Sequence, residues 1–425
     1  MGRILLKNMI LLHEGRQETG DILIEGEKIA KTGTSLPEDG VETVIDGKGR
    51  LAACPGLFDM HVHFRDPGFT HKEDINTGAA AALAGGFTGV ACMPNTNPPI
   101  DNAETIRYII DKAKDTGVKV YPVACMTKGM AGAEPSDFVG LKRAGAIAVS
   151  DDGKPVKNAE VMRRVLELSR ESGLLAISHC EDLDIINGGI IHKGEISKRL
   201  GVPGMDRASE DSITAREIAL AYCGEARIHI AHVSTKGSVE LIRDAKRRGV
   251  KVTCETCPHY FYYTDEKLLS RDADFRMNPP LREESDRIAV LDAVLDGTID
   301  CIVTDHAPHA AEEKADFLKA PNGVVGLETS LAAVLSKLVH EKGMPLYRIA
   351  GIMSAAPRRL LGLPEIRLEA GFCADITVFD PLLEWTAEPE KLHSKSKNTV
   401  FKGEKLKGRT MYTISDGIIR YKLEN

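Results

Sequence analysis

The segment DMHVHFRDPG, residues 59–68, sets His61 and His63 one residue apart at the end of an apolar run. Residues i and i+2 of a strand share a face, so the two imidazoles point the same way. Neutral imidazole is a strong ligand for divalent metals. HxH alone is a weak signal, because a single buried histidine is more often a hydrogen-bonded core residue. The chain repeats the arrangement, however. Other short apolar runs end in Asp151-Asp152-Gly153, in His179-Cys180-Glu181, in His232, and in Asp305-His306 with His309 just beyond. Unpaired buried charges cost several kcal/mol each, so packing does not explain such a set. Four nitrogens and two carboxylate oxygens suit zinc or a similar ion. Six ligands exceed one tetrahedral shell and fit two ions about 3.5–4 Å apart, sharing a carboxylate and a hydroxide.

Such residues must converge from distant parts of the chain, and the pattern between them supplies the means. Eight apolar runs recur: AACPGLFDMHVH, GFTGVACMP, VKVYPVAC, AGAIAVSDD, LLAISHC, RIHIAHVS, KVTCETCPHY and IDCIVTDHAP. Each is continuous in apolar residues, as strands buried on both faces are. Helical patterns separate them, such as VMRRVLELSRES with apolar residues at 161, 162, 165, 166 and 168. VELIRDAKRRG closes on basic residues and glycine, a helix stop. Eight strand-helix repeats predict a (β/α)8 TIM barrel, whose chemistry gathers at the C-terminal strand ends. An open doubly wound sheet is the rival, but GLFDMHVH is not the Gly-rich phosphate turn it usually carries.

The flanks read differently, as short strands with turns. Residues 1–53 and 366–425 are each too small to close a core. Together they predict one small β-sandwich built from both termini, with the barrel at 54–365 inserted between.

Composition narrows the class. The 425 residues are 43% hydrophobic and 28% charged with a net charge of -7, which fits a soluble globular protein. No basic block points to nucleic acid, and no apolar run approaches the roughly 20 residues of a membrane helix. The N-terminal MGRILLKNMILLHEG is interrupted by Lys7 and lacks a cleavage site, so it reads as strand rather than signal peptide. Nine scattered cysteines fit reduced cytoplasmic thiols. Cys254 and Cys257 form a CxxC on a strand, where i and i+3 point to opposite faces.

The segments PGLFDMHVHFRDPG, GGFTGVACMPNTNPP, VSDDGKPV, ISHCED, TCETCPHY, FRMNPPLR, DGTIDCIVTDHAPH and NGVVGLETS together resemble the bacterial type I dihydroorotases of the amidohydrolase superfamily. The resemblance spans residues 55 to about 330 and is weaker at both ends. It implies that His61, His63 and Asp305 hold one zinc, that His179 and His232 hold a second, and that Asp152 bridges them. Spacing alone leaves Asp151 open as the bridge; the family pattern favours Asp152. It also implies substrate contacts from His63, Arg65, Asn95, Asn278, His309, Asn322 and Gly323. Asp66 stands where relatives often have Glu, a position read as shaping the loop.

The implied reaction interconverts N-carbamoyl-L-aspartate and L-dihydroorotate in pyrimidine biosynthesis. A metal-bridged hydroxide would attack, with Asp305 as base and then acid. The resemblance further implies a homodimer, and leaves open association with aspartate carbamoyltransferase. Two rival functions are a hydantoinase or allantoinase and a non-catalytic scaffold for that transferase. Many hydantoinases bridge their metals with a carbamylated lysine on strand four, where this chain has none before Lys154. A scaffold would have lost ligands, and all six are present. Finally, HAAEEKADFLKAPNG (309–323) is mostly small and charged, and predicts a loosely anchored lid over the barrel mouth.

Overall fold

A computed structural model describes residues 2–424. Eight parallel strands form one sheet in chain order. Barrel strands one to eight are Leu57–Val62, Phe87–Cys92, Lys119–Ala124, Ala148–Ser150, Leu175–Ser178, Ile228–Ile230, Val252–Thr256 and Cys301–Ile302. Each lies in one of the eight apolar runs, and helices follow them on the outside. The helix Ala159–Ser172 illustrates why. The Asn158 side chain accepts from the backbone N–H groups of Glu160 and Val161, and Gly173 ends the helix in a left-handed conformation. Met162, Val165 and Leu166 face inward, each burial stabilising by about 1.5–3 kcal/mol. Leu168, in the same apolar series, is only partly buried against the core.

Strand eight is short, and the barrel closes against strand one by other means. Val62 bridges His306, and the His63 N–H donates to the His306 carbonyl at 2.8 Å. Below that seam, the buried Asp59 carboxylate accepts from the Thr304 hydroxyl at 2.5 Å and from the His61 N–H at 3.0 Å. Burial pushes Asp59 up to about 7 against these hydrogen bonds. The seam therefore fixes the backbone that carries His61, His63 and Asp305.

The two ends of the chain share a second sheet of eight strands, largely antiparallel. Ala52–Pro55 lies between Arg3–His13 and Ile376–Thr386 and so joins the N-terminal strands to the C-terminal ones. Ile4, Leu6, Met9, Ile22, Ile24, Ile376, Val378 and Ile414 give this sheet its own core. The segment between Ile376–Thr386 and Lys405–Ser415 runs back to the barrel mouth, where Asn398 is buried. Among the described residues no helix is long and apolar enough to cross a membrane.

Candidate active site

Asp152 is the hub of the strand ends. Its carboxylate lies 3.4 Å from His61 Nε2, 3.4 Å from His63 Nε2, 3.4 Å from His179 Nδ1 and 3.5 Å from His232 Nε2. Asp305 Oδ1 lies 3.0 Å from His63 Nε2 and 3.7 Å from His61 Nε2. Two sets, His61-Asp152-His232 and His61-His63-Asp305, have their ligand atoms within 4.8 Å of one another. His179 joins through its Nδ1, 2.8 Å from His232 Nε2. All six side chains predicted as ligands are buried at one point.

The neighbouring Asp151 faces elsewhere. It accepts from the N–H groups of Met126 at 2.8 Å and Thr127 at 3.2 Å, and from the Thr127 hydroxyl. The alternation along the strand end thus sends one aspartate to the histidines and the other to a loop.

The donor set fits a divalent cation. His61 Nε2 and Asp152 Oδ1 are buried without a hydrogen-bond partner, a costly state for polar atoms unless a cation takes their lone pairs. The electrostatics agree. Burial, the largest influence, pushes His179 down, but its contacts with Asp152 and Glu181 carry it up to about 10. Burial likewise raises Asp152, and the surrounding imidazoles still hold it well below the carboxylate range. The centre is anionic enough to demand positive charge.

The backbone is bent to aim these groups. Arg65, His232 and Asp305 have φ of 60°, 32° and 46°, each a left-handed conformation costing about 1–3 kcal/mol away from glycine. Strained residues of this kind collect at functional sites.

Around the centre lie the predicted substrate groups. Asn95 Oδ1 takes the Nδ1 proton of His63 at 2.7 Å, and His63 Nε2 meets Asp305, so both His63 nitrogens are engaged by protein. Asn278 Nδ2 donates to Glu181 at 3.0 Å, while the Asn278 and Asn322 side-chain oxygens are buried and unpartnered. Arg65 Nε donates to the Pro308 carbonyl at 3.2 Å. His309 accepts from Lys72 at 3.2 Å and donates to the Asn322 carbonyl at 2.9 Å. Burial, then the charges of Arg65, Lys72 and Lys314, push His309 down to about 2, so it stays neutral. Gly323 sits at φ 140°, and a Cβ there would meet the Ala307 carbonyl at 2.7 Å and His309 Nε2 at 2.9 Å. Gly323→Ala should therefore displace His309 and raise KM for the substrate at least tenfold, with metal content unchanged. An unaltered KM would refute the close-packing argument.

The loosely anchored lid is a correction. Phe317 and Ala320 are buried in a small cluster with Ile191, Ile196 and Leu268, and Arg276 donates to the Phe317 carbonyl at 2.5 Å. Lys314 is buried, and its ammonium donates to the carbonyls of Arg276, Pro321 and Gly323 at 3.2, 3.0 and 3.1 Å. A composition rich in charge hides these anchors, because the decisive lysine points inward. Burial, the dominant effect, lowers Lys314 to about 8. Lys314→Met leaves three carbonyls without that donor and should raise KM about tenfold, each lost partner costing about 1–3 kcal/mol locally. In the parent, KM should climb as pH rises past 8 and the third N–H is lost; in Lys314→Met it should be high and flat across that range. Identical KM–pH curves would exclude the clamp.

Three further residues at the site lie outside the predicted set. Asn398, from the C-terminal flank, accepts from the His309 N–H at 3.3 Å and donates to the Gly323 carbonyl at 3.0 Å. Glu255 and Glu181 hydrogen-bond His61 and His179. An acidic residue inside the apolar run KVTCETCPHY was the available clue to Glu255; for Asn398 there was none.

An eight-stranded barrel of this kind has the fold of solved hydantoinases and dihydropyrimidinases. The L-hydantoinase of Arthrobacter aurescens superposes with a TM-score of 0.88 at 23% identity, covering 99% of this chain and 96% of its own. The dihydropyrimidinase of Brevibacillus agri gives 0.86 at 24%, covering 98% and 94%. Within that fold the chain belongs to the dihydroorotase family. It is 49% identical over 403 residues to the dihydroorotase of Citrifermentans bemidjiense, covering 94% of this chain and 95% of the relative. It is 46% identical over 427 residues to that of Syntrophotalea carbinolica, covering all of both. The family model for Dihydro-orotase-like proteins matches residues 49–238.

Proposed function

We propose that this dihydroorotase family member interconverts L-dihydroorotate and N-carbamoyl-L-aspartate, a step of pyrimidine biosynthesis, on two divalent ions, zinc by ligand type. His61, His63 and Asp305 would hold one ion, His179 and His232 the other, and Asp152 both. Ions bound there supply Lewis-acid polarisation of the ring carbonyl and lower the pKa of water towards neutrality. The single observation that carries the reading is the convergence of four imidazoles on Asp152.

The chain's own residues do the rest. In ring opening, water adds across the cyclic amide: a C–O bond forms, the C–N bond breaks, and one proton moves to the leaving nitrogen. Asp305 is the carrier of that proton, aimed by its left-handed backbone. Arg65 would present a fork to the substrate carboxylate and Asn95 an amide donor. The unpaired oxygens of Asn278 and Asn322 accept the ring N–H groups. His309, neutral, packs between Arg65 and the 321–323 turn and holds both in register.

A hydantoinase-type centre lacks support here. Lys154 is exposed, the Asp152 carboxylate is the group that faces all four imidazoles, and the likeness to hydantoinases is one of fold. Purified protein should contain divalent metal and open L-dihydroorotate in preference to hydantoin or allantoin. Metal analysis beside parallel ring-opening assays tests both, and faster hydantoin turnover would sink the proposal.

A further inference from the structure

We infer that Glu255 is a positioning residue of the metal centre, holding His61 as an Nε2 ligand by accepting its Nδ1 proton. This rests on the metal reading proposed above. Glu255, on barrel strand seven, is fully buried beneath the cluster. One carboxylate oxygen is 2.6 Å from His61 Nδ1, and the other is 3.1 Å from His229 Nε2. His229, equally buried, turns its Nδ1 to the Thr253 hydroxyl at 2.8 Å. The result is a chain, His61–Glu255–His229–Thr253, running from the centre into the barrel interior.

Among the described residues no lysine or arginine hydrogen-bonds Glu255; imidazoles are its side-chain partners. As packing, a carboxylate in that position is worse than an apolar residue. Its placement makes sense beneath a group that gathers positive charge. His61 is also the histidine shared by both candidate ligand sets, so its tautomer matters twice. A proton left free to sit on Nε2 would remove the lone pair that faces Asp152 and Asp305. The carboxylate pins it to Nδ1 and makes Nε2 the more basic donor. Among the other histidines, His63 donates to the neutral amide of Asn95, His179 meets the Glu181 carboxylate at the longer distance of 3.3 Å, and His232 Nδ1 has no partner among the described residues. At 2.6 Å, Glu255 makes the shortest carboxylate contact to an imidazole of the set.

Glu255→Gln separates charge from shape. The Gln carbonyl can still accept from His61 and its amide can donate to His229. Only the negative charge goes. Glu255→Leu removes both. With Co(II) as the probe, chelator competition should show binding weakened about tenfold in Glu255→Gln and more in Glu255→Leu, within the 10–100-fold range of such partners. The visible d–d spectrum should change in both. Asp21→Asn, which alters a buried carboxylate that accepts from the Asn8 and Leu36 N–H groups in the terminal sheet, should leave affinity and spectrum as in the parent. If Glu255→Gln does not accumulate folded, His229→Gln, which loosens the outer anchor, should shift affinity in the same direction by less. Unchanged Co(II) affinity and spectrum in the folded variant would overturn the inference. A parent protein that binds no Co(II) would overturn the metal reading itself, so the two failures are distinct.

Discussion

Asp305→Asn should purify folded, retain much of its divalent metal, and open L-dihydroorotate at least about 10²-fold more slowly, the lower end for lost general acid–base work. Asn is nearly the same size and keeps one oxygen where Asp305 Oδ1 approaches His63 Nε2 at 3.0 Å. The histidines and Asp152 are untouched, so ion binding weakens less than turnover. What Asn cannot do is take a proton and give it back. Burial raises Asp305, but the His63 hydrogen bond and the charges of His61, His63 and His232 together hold it low, so the parent carries an ionised acceptor at neutral pH. Single-turnover kinetics with metal counted per chain decides the matter. Turnover near that of the parent with metal bound would show that another group carries the proton.

How much of this was written in the sequence divides along a physical line. The barrel strands were legible because strands buried on both faces must be continuously apolar. Their polar ends stood out for the same reason: Asp152, His179 and His232 interrupt runs that packing alone would keep apolar. The composite terminal sheet was legible in outline, since neither flank could close a core. Groups whose role depends on distant backbone were not. Lys314 looks like one more charge in HAAEEKADFLKAPNG until three carbonyls converge on it. Asn398 reaches His309 only because the C-terminal segment returns to the mouth. The choice between Asp151 and Asp152 was likewise open, because a two-residue identity leaves only phase to separate them.

That choice yields the sharpest contrast the fold predicts. Asp152→Ala should lose most bound metal and about 10³-fold or more in kcat/KM, more than the 10–100-fold typical of a residue that merely supports a ligand. Its carboxylate is the point on which four imidazoles converge, and removing it leaves both halves of the centre without their shared anion. Asp151→Ala, one residue away, should keep metal and most activity and instead lose stability. It deletes the acceptor for the Met126 and Thr127 N–H groups and the Thr127 hydroxyl, at a cost of about 1–3 kcal/mol for donors left unpaired in a buried loop. Asp151→Asn should recover much of that loss, since its amide oxygen can still accept from the two N–H groups. Metal stoichiometry and denaturant midpoints on the same preparations separate the two roles. Retained metal and activity in Asp152→Ala, or metal loss in Asp151→Ala with stability intact, would reverse the assignment and with it the account of how this strand end is phased.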